Sequence, residues 1–305
     1  MIIAAMSETA QLRSQLRLAD WGVIRAAGAD AASFLHSQLT QDFALLDGNH
    51  ARLAGFCTAK GRLLATMVGW KHGQDGNDGE ILLALPADTL AATLKRLSMF
   101  VLRAKCKLSD ASGEFAVHGL LGVPAAPAWT LVRDGDAVEI TLPGPGRALR
   151  VQPVAAPAPA GAALTADDWA AAEARAGVAW VRHATVEAFV PQMINFELLG
   201  GVSFKKGCYP GQEIVARSQY RGTLKRRLQV FETDGAAAVG QEIFHSGDPE
   251  QPAGVVAGSG AHGGRTVLTA EIKLAALEGG SLHLGHAGGA LLQPRALPYE
   301  IPPQD

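Results

Sequence analysis

Cysteine is scarce in this chain, and its few copies lie far apart. Cys57, Cys106 and Cys208 are the three cysteines among 305 residues. An odd number at wide spacing does not form the framework of a disulfide-rich domain, and reduced thiols are typical of the cytosol. The sequence has neither a Cys-x-x-Cys pair nor a His-x-x-x-His pair. It therefore predicts no preformed metal site.

The chain also lacks long apolar runs and a strong charge of either sign. Lys and Arg number 27 and Asp and Glu number 29, which gives a net charge of −2 and does not indicate a nucleic-acid binder. No window approaches 18 apolar residues without a charge or a break, so neither a membrane span nor a membrane partner is predicted. The first ten residues contain no basic residue and only a short apolar run, unlike a secretory signal. We expect a cytoplasmic protein.

Hydrophobic residues are plentiful by comparison, at 48% of the chain, so sizeable cores can form. The length predicts two or three domains. We place them at residues 7–112, a mixed α/β domain, at 113–227, a second α/β domain, and at 228–305, a small all-β domain. The last assignment follows from short apolar runs that alternate with glycine-rich turns.

Local patterns predict the elements within these domains. Strands are predicted over residues 21–25, 51–58, 62–70, 81–85, 103–108, 114–121, 129–133, 137–142 and 148–154. Helices are predicted over residues 30–39, capped by Asp30, over 86–97, from a cap at Thr165 to Gly177, and from Pro210 to about Tyr220. Residues 155–163, rich in Ala and Pro, are predicted to be a linker or a surface loop.

Positive charge is concentrated between residues 205 and 227. Seven cations and one acid give this stretch a net charge of +6, so the rest of the chain sums to −8. The cations are Lys205, Lys206, Arg217, Arg221, Lys225, Arg226 and Arg227. An anionic partner near the stretch would explain this asymmetry. A solvated charged surface is the alternative.

Cys208 lies inside this basic stretch. The helix predicted from Pro210 places the thiol just before a helix N-terminus, and the dipole and the nearby lysines both favour a thiolate. Gly207 and Gly211 flank the thiol and permit close backbone approach. A reactive or ligand-forming cysteine is therefore one interpretation, and an inert cysteine is the other.

The segment around Cys208 resembles a known signature. It reads Lys206, Gly207, Cys208, Tyr209, Pro210, Gly211, Gln212 and Glu213, and it is similar to the signature of the YgfZ family, whose relatives act late in iron–sulfur protein maturation. Weaker similarity covers most of the chain. It includes Pro191, Gln192 and Asn195, the segments 34–42, 199–205 and 101–105, and the Lys60-Gly61-Arg62 turn.

This resemblance implies the α+β fold of the glycine-cleavage T-protein, a multi-domain ring with a C-terminal β-barrel. It also implies binding of tetrahydrofolate, with Trp21 and Trp169 packing on the ligand and with Arg217 and Arg221 near its carboxylates. Each tryptophan is equally compatible with a place in the core. Cys208 would act as a reactive thiol or as a transient ligand of an iron–sulfur cluster, and client or assembly proteins would be the partners.

The chain departs from the T-protein where that enzyme transfers a one-carbon group. Ala91 or a neighbour falls at the position of the acid that polarises folate, and an alanine cannot accept a proton. Arg175 stands where the T-protein has a pterin-binding glutamate, and Glu173 is the candidate to compensate for this loss. The sequence therefore favours a folate-binding accessory factor for iron–sulfur enzymes, including tRNA-modifying ones, over a conventional enzyme.

Two alternatives stay open. The first is a tetrahydrofolate-dependent aminomethyl or one-carbon transferase, which the missing acid disfavours. The second is direct binding of tRNA through Lys225, Arg226 and Arg227. It is disfavoured because the stretch lacks the aromatic residues, interleaved with cations, that a base-stacking surface needs. Tyr209 and Tyr220 are the only candidates.

Overall fold

Three β-sheets and four α-helices organise the part of the chain that the computed structural model describes, residues 13–73, 79–221 and 224–302. The strands are β1 (Ser14–Arg17), β2 (Trp21–Ala27), β3 (Arg52–Cys57), β4 (Leu63–Lys71), β5 (Glu80–Pro86), β6 (Lys107–Asp110), β7 (Phe115–Leu121), β8 (Leu131–Asp134), β9 (Ala137–Thr141), β10 (Arg147–Pro153), β11 (Ala162–Ala163), β12 (Arg226–Thr233), β13 (Glu242–His245), β14 (Asp248–His262), β15 (Arg265–Lys273), β16 (Leu282–Leu284) and β17 (Gln293–Arg295). The helices are α1 (Ala31–Gln38), α2 (Ala87–Ser98), α3 (Ala166–Arg175) and α4 (Gln212–Tyr220), with short 3-10 helices at His183–Thr185, Pro191–Ile194 and Leu274–Leu277.

The first sheet has the order β3-β4-β5-β2-β6 and is antiparallel throughout. Strands β2, β3, β4 and β5 are apolar on both faces because both faces are covered, whereas the edge strand β6 is polar and partly exposed. Val23 and Leu82 belong to a core shared with the second sheet, whereas Ile24 and Leu83 belong to the core that includes the buried face of α1 and α2. The predicted strands and helices of this region are confirmed, apart from two details.

Both details concern Asp30 and the chain that passes beside it. The predicted cap is wrong, because the Asp30 side chain makes no capping hydrogen bond to α1 and its Oδ2 accepts from the backbone N–H of Lys105 at 2.7 Å. The backbone N–H of Asp30 in turn donates to Lys105 O at 3.1 Å. This pairing holds the chain in a turn, so the strand predicted over 103–108 begins only at Lys107.

The second sheet has the order β11-β1-β7-β10-β9-β8. It takes β1 from the start of the described chain and β11 from the predicted linker, which pairs with β1 in parallel. The strands predicted over 114–154 are confirmed to within two residues. The predicted ends of α3 are also confirmed, since Thr165 Oγ1 accepts from Asp168 N–H at 3.0 Å and Gly177 takes a φ of 64°.

Helix α3 lies between the second and third sheets, and two glycines make room for it. A Cβ on Gly119 would lie 2.7 Å from the Trp169 ring, and a Cβ on Gly260 would lie 2.3 Å from the backbone N of Ala171. The helix therefore packs directly on the backbone of both strands.

The third sheet has the order β16-β13-β14-β15-β12-β17 and curls into a half-barrel at the C-terminus. Its concave core contains Phe231, Ile243, Val256, Leu268 and Ile272. The predicted C-terminal β-module is confirmed, with its first strand starting at Arg226. The sheets do not follow the chain strictly, because β1 precedes the first sheet and belongs to the second. The domain boundaries at 112 and 227 stay predictions.

Candidate functional site

The signature segment forms a loop, residues 204–211, that packs against the C-terminal end of α1. Lys206 is buried, and its Nζ donates hydrogen bonds to Leu39 O at 2.6 Å and to His36 O. These carbonyls lie at the end of α1, where a helix leaves acceptors without intrahelical partners. Burial lowers the pKa of Lys206 to about 8. Lys206 therefore anchors the loop and does not face a partner.

Gly207 and Gly211, on either side of Cys208, allow the loop to pack closely on neighbouring segments. Gly211 has a φ of 81° and precedes α4, and a Cβ there would lie 2.4 Å from Thr58 O. The helix therefore begins at Gln212, and the prediction that Pro210 forms its first turn is wrong. A Cβ on Gly61 would lie 3.0 Å from Ile214 Cβ, so the Lys60-Gly61-Arg62 turn packs against α4. A Cβ on Gly207 would lie 3.4 Å from His36 Nε2.

Cys208 is the exposed thiol of the three. Cys57 is buried, which raises its pKa to about 12. Cys106 is half-buried, and burial followed by the charge of Asp30 raises its pKa. Tyr209, next to Cys208, is buried and lies under the Lys206 ammonium, 4.8 Å from the ring centroid. The loop therefore exposes Cys208 to solvent, while the side chains of Lys206 and Tyr209 are buried.

The next two signature residues open α4. The backbone N–H of Gln212 donates to Tyr209 O at 3.1 Å, which closes the turn. Glu213 is exposed and pairs with Arg217 one helical turn later, at 2.8 Å. Such an exposed pair contributes little to stability. Arg217 is therefore engaged within its own helix.

Part of the predicted basic stretch is engaged within the fold. Four of its seven cations have partners: Lys206 with carbonyl oxygens, Arg217 with Glu213, Arg226 with Glu271 and Arg227 with Glu197. The exposed Lys205, Arg221 and Lys225 have no described side-chain partner. The count of +6 therefore overstates the charge that this stretch offers to an anion. Because Arg227 is buried, it cannot contribute to the tRNA-binding surface predicted from Lys225, Arg226 and Arg227.

Two polar residues upstream of the loop join α4 to the third sheet. Gln192 Nε2 donates to Val215 O at 2.8 Å, and Asn195 Nδ2 donates to Leu228 O at 3.0 Å. Arg227 Nη1 donates to Glu197 Oε1 at 2.5 Å and to Gln192 O at 3.0 Å. The Pro191, Gln192 and Asn195 part of the signature therefore stabilises the fold around the Cys208 loop.

Trp21 lines a cavity of about 450 Å³ on another part of the molecule. The lining also contains Arg17, Leu18, Ala19, Gly22, Ala87, Leu90, Ala91, Asp110, Ser112, Phe115, Ala116 and Val117. Ala91, the position at which the T-protein acid was expected, thus faces the same space as Trp21. The indole N–H of Trp21 has no hydrogen-bond partner in the described structure.

Trp21 packs edge-to-face on Trp180, with ring centroids 4.9 Å apart. Trp180 is not among the predicted site residues, although it is an aromatic residue just beyond the end of α3. Its indole N–H donates to Glu173 Oε1 at 2.6 Å, and Glu173 lies 3.5 Å from the buried Arg147. Arg147 in turn stacks on Trp169 at 5.0 Å. These side chains form one buried row from Trp21 to Trp169.

The other predicted ligand contacts lie outside the Trp21 cavity. Trp169 is buried under Gly119 and does not line the cavity. Arg175 is exposed, so the acid of α3 that faces the interior is Glu173, and burial raises its pKa. Arg217 and Arg221 do not line the cavity either. The structure therefore brings Trp21 and Ala91 together and leaves Trp169, Arg217 and Arg221 outside.

Two general observations complete the site. The described residues contain no group of three or more His, Cys, Asp and Glu side chains suited to hold a metal ion. No helix in the ranges that the structure describes is long and apolar enough to cross a membrane.

Comparison with known proteins places these features in context. None of the known protein-family profiles matches the chain. It is 33% identical to the tRNA-modifying protein YgfZ of Edwardsiella ictaluri (strain 93-146), over 70% of this chain and 69% of the relative. It is 32% identical to the tRNA-modifying protein YgfZ of Sodalis glossinidius (strain morsitans), over the same shares.

A solved structure shows the same fold. The glycine cleavage system aminomethyltransferase T from Bartonella henselae superposes with a TM-score of 0.73, at 14% identity, over 97% of this chain and 89% of that one. At this identity the likeness concerns the fold alone. It confirms the predicted T-protein-like α+β architecture.

Proposed function

Because this chain belongs to the YgfZ family, we propose that it is a folate-binding accessory factor for iron–sulfur enzymes, with Cys208 as its working thiol. The relatives are named tRNA-modifying proteins, so iron–sulfur enzymes that modify tRNA are the proposed clients. The observation that carries the proposal is the exposure of Cys208 on a loop whose neighbouring side chains, Lys206 and Tyr209, are buried.

The cavity beside Trp21 supports folate binding. Its volume of about 450 Å³ lies within the range of roughly 300–1,000 Å³ that is typical of small-molecule sites. Trp21 and Phe115 offer aromatic surface to a flat ring, and the unpartnered Trp21 N–H is a spare donor. Arg17 and Asp110 supply one positive and one negative group, which suits a ligand with a carboxylate and ring N–H donors. These residues fit a folate, which would supply one-carbon chemistry when bound.

The Cys208 loop supports a role in contact with another protein. Lys206 and Gly211 fix the loop against α1 and the Lys60–Arg62 turn, so the thiol is held in place rather than carried on a mobile tail. A fixed, exposed cysteine can reach a partner's cluster or disulfide without a change in the fold. We propose transient ligation or thiol chemistry with a client, the iron–sulfur cluster being cargo.

Replacement of Cys208 tests this role. In cells whose own copy of the gene is deleted, Cys208→Ala should fail to restore the activity of iron–sulfur enzymes that wild type restores. Cys106→Ala is the matched control, because its half-buried thiol lies far along the chain and should complement fully. Both variants should melt like wild type. Full complementation by Cys208→Ala would remove the proposed role of the thiol.

Calorimetric titration with tetrahydrofolate tests the cavity. Trp21→Leu should weaken binding strongly, because it removes the aromatic wall of the cavity. Trp169→Phe keeps an aromatic ring in the core and should bind as wild type does. If Trp169→Phe lost binding and Trp21→Leu did not, the ligand would lie at Trp169 and not in the cavity beside Trp21.

One observation favours a second candidate, one-carbon transfer. Ala91 leaves the cavity without the expected acid, but Asp110 lines the same space. One Asp110 oxygen accepts from Ser112 N–H at 2.8 Å, which leaves the second oxygen free to accept a proton. Formation of methylene-tetrahydrofolate from an aminomethyl or N-methyl donor, abolished in Asp110→Asn, would establish this activity. Absence of turnover in wild type would exclude it.

A further inference from the structure

Arg17 is an exposed cation at the end of β1 whose side chain lines the Trp21 cavity. No hydrogen bond or ion pair is described for its guanidinium. Its neighbours on the same sheet differ in this respect, since Arg13 pairs with Glu139 at 3.1 Å and Arg150 pairs with Asp134 at 2.7 Å. Arg17 therefore keeps its donors available to a ligand.

The surroundings of Arg17 do not neutralise it. The residue opposite on β7 is His118, which is buried and lies in register with both Arg17 and Arg150. Burial, and then the charges of Arg17 and Arg150, lower the pKa of His118, so this ring is neutral near pH 7. Asp110 is the one acid in the lining, and no ion pair between it and Arg17 is described. A free cation thus borders an aromatic cavity.

A guanidinium binds a carboxylate through two parallel N–H···O bonds, which a lysine cannot reproduce. We infer that Arg17 binds the glutamate carboxylate of a folate whose ring system lies against Trp21, and that Arg17 selects glutamate-bearing folates over the bare ring system. This inference rests on the proposed folate function. It gives to Arg17 the task that the sequence assigned to Arg217 and Arg221, which lie outside the cavity.

The test compares two ligands that differ in one group. Tetrahydrofolate carries the glutamate, and tetrahydropteroate has the same rings without it. By calorimetry, Arg17→Gln should bind tetrahydrofolate about tenfold more weakly than wild type does, the loss expected for one charge-assisted contact. For tetrahydropteroate, wild type and Arg17→Gln should have equal affinity. Arg17→Lys should recover part of the loss, since it restores the charge without the fork.

Arg175→Gln is the matched control. It removes an exposed arginine of α3 that does not line the cavity, and it should bind both ligands as wild type does. Equal affinity of wild type and Arg17→Gln for tetrahydrofolate would overturn the inference, as would an equal loss for both ligands. Wild type that binds neither ligand would overturn the proposed folate function itself, a result visible before any variant is made.

Discussion

The three cysteines differ enough in exposure for one alkylating reagent to distinguish them. We predict that iodoacetamide modifies Cys208 first, Cys106 more slowly and Cys57 only when the protein unfolds. Cys208 is exposed ahead of α4, Cys106 is half-buried before β6, and Cys57 is buried at the end of β3. Because the thiolate is the nucleophile, both access and pKa set the rate.

The size of the difference follows from the burial of Cys57. Its pKa rises from the ordinary 9.0 to about 12. At pH 8 about one Cys57 side chain in 10,000 is a thiolate, compared with about one in ten for an unperturbed thiol. Protonation alone therefore slows this cysteine about 1,000-fold. Its exposure of 2% slows it further, because the reagent needs a local opening of the sheet.

Timed alkylation at pH 8, followed by peptide mass spectrometry, measures the order directly. Cys208→Ser should remove the fast phase and leave the rest of the time course unchanged. Unfolding in urea should bring all three cysteines to similar rates, which serves as the internal control. Alkylation of Cys57 or Cys106 as fast as Cys208 would refute the reasoning, because the three thiols would then be equally accessible to the reagent in solution.

Three further predictions concern stability. Arg227→Leu leaves the Glu197 carboxylate, 4% exposed, without its cation and should lower the free energy of unfolding in urea by about 3–5 kcal/mol. The double variant with Glu197→Leu should recover most of that loss, and a single-variant loss under about 1 kcal/mol would contradict the burial of the pair. Thr165→Ala removes the α3 cap and should cost about 1 kcal/mol, measured in the same way, whereas Thr165→Ser should cost little. Burial lowers the pKa of Lys206 from 10.5 to about 8, so between these pH values the unfolded chain binds the extra proton and stability rises with pH. Lys206→Met should flatten that rise, and an unchanged slope would show that Lys206 is not its source.

Local chemistry was sufficient to predict most elements from the sequence. Thr165 before an acidic first turn and Gly177 after α3 are side-chain-to-backbone signals that act within a few residues, and both predictions hold. Asp30 has the same capping signal, but the prediction is wrong there, because its carboxylate accepts the backbone N–H of Lys105, which is distant in sequence. Pro210 fails as a helix start because the close approach of Gly211 to Thr58 O sets the first residue of α4.

The signature around Cys208 could be recognised in the sequence, and it correctly indicated the family and the T-protein fold. The structural role of each residue in and around the signature could not be predicted from the sequence. Lys206 counts as a charge in the sequence but is a buried anchor in the fold, and Arg226 and Arg227 are balanced by Glu271 and Glu197 from other segments. Ion pairing depends on which side chains meet in space, and a count of charges along the chain contains no such information.

The sequence by itself determined the strand and helix pattern, the family and the position of the one cysteine in a glycine-flanked signature, because these depend on residues close together in the chain. Only the tertiary structure decided which of the two tryptophans predicted to contact folate borders the cavity of about 450 Å³. Gly119 places Trp169 in the core, whereas β2 and α2 place Trp21 beside Ala91, Arg17 and Asp110. The cavity exists because these elements leave space between them, and that space depends on how distant segments pack.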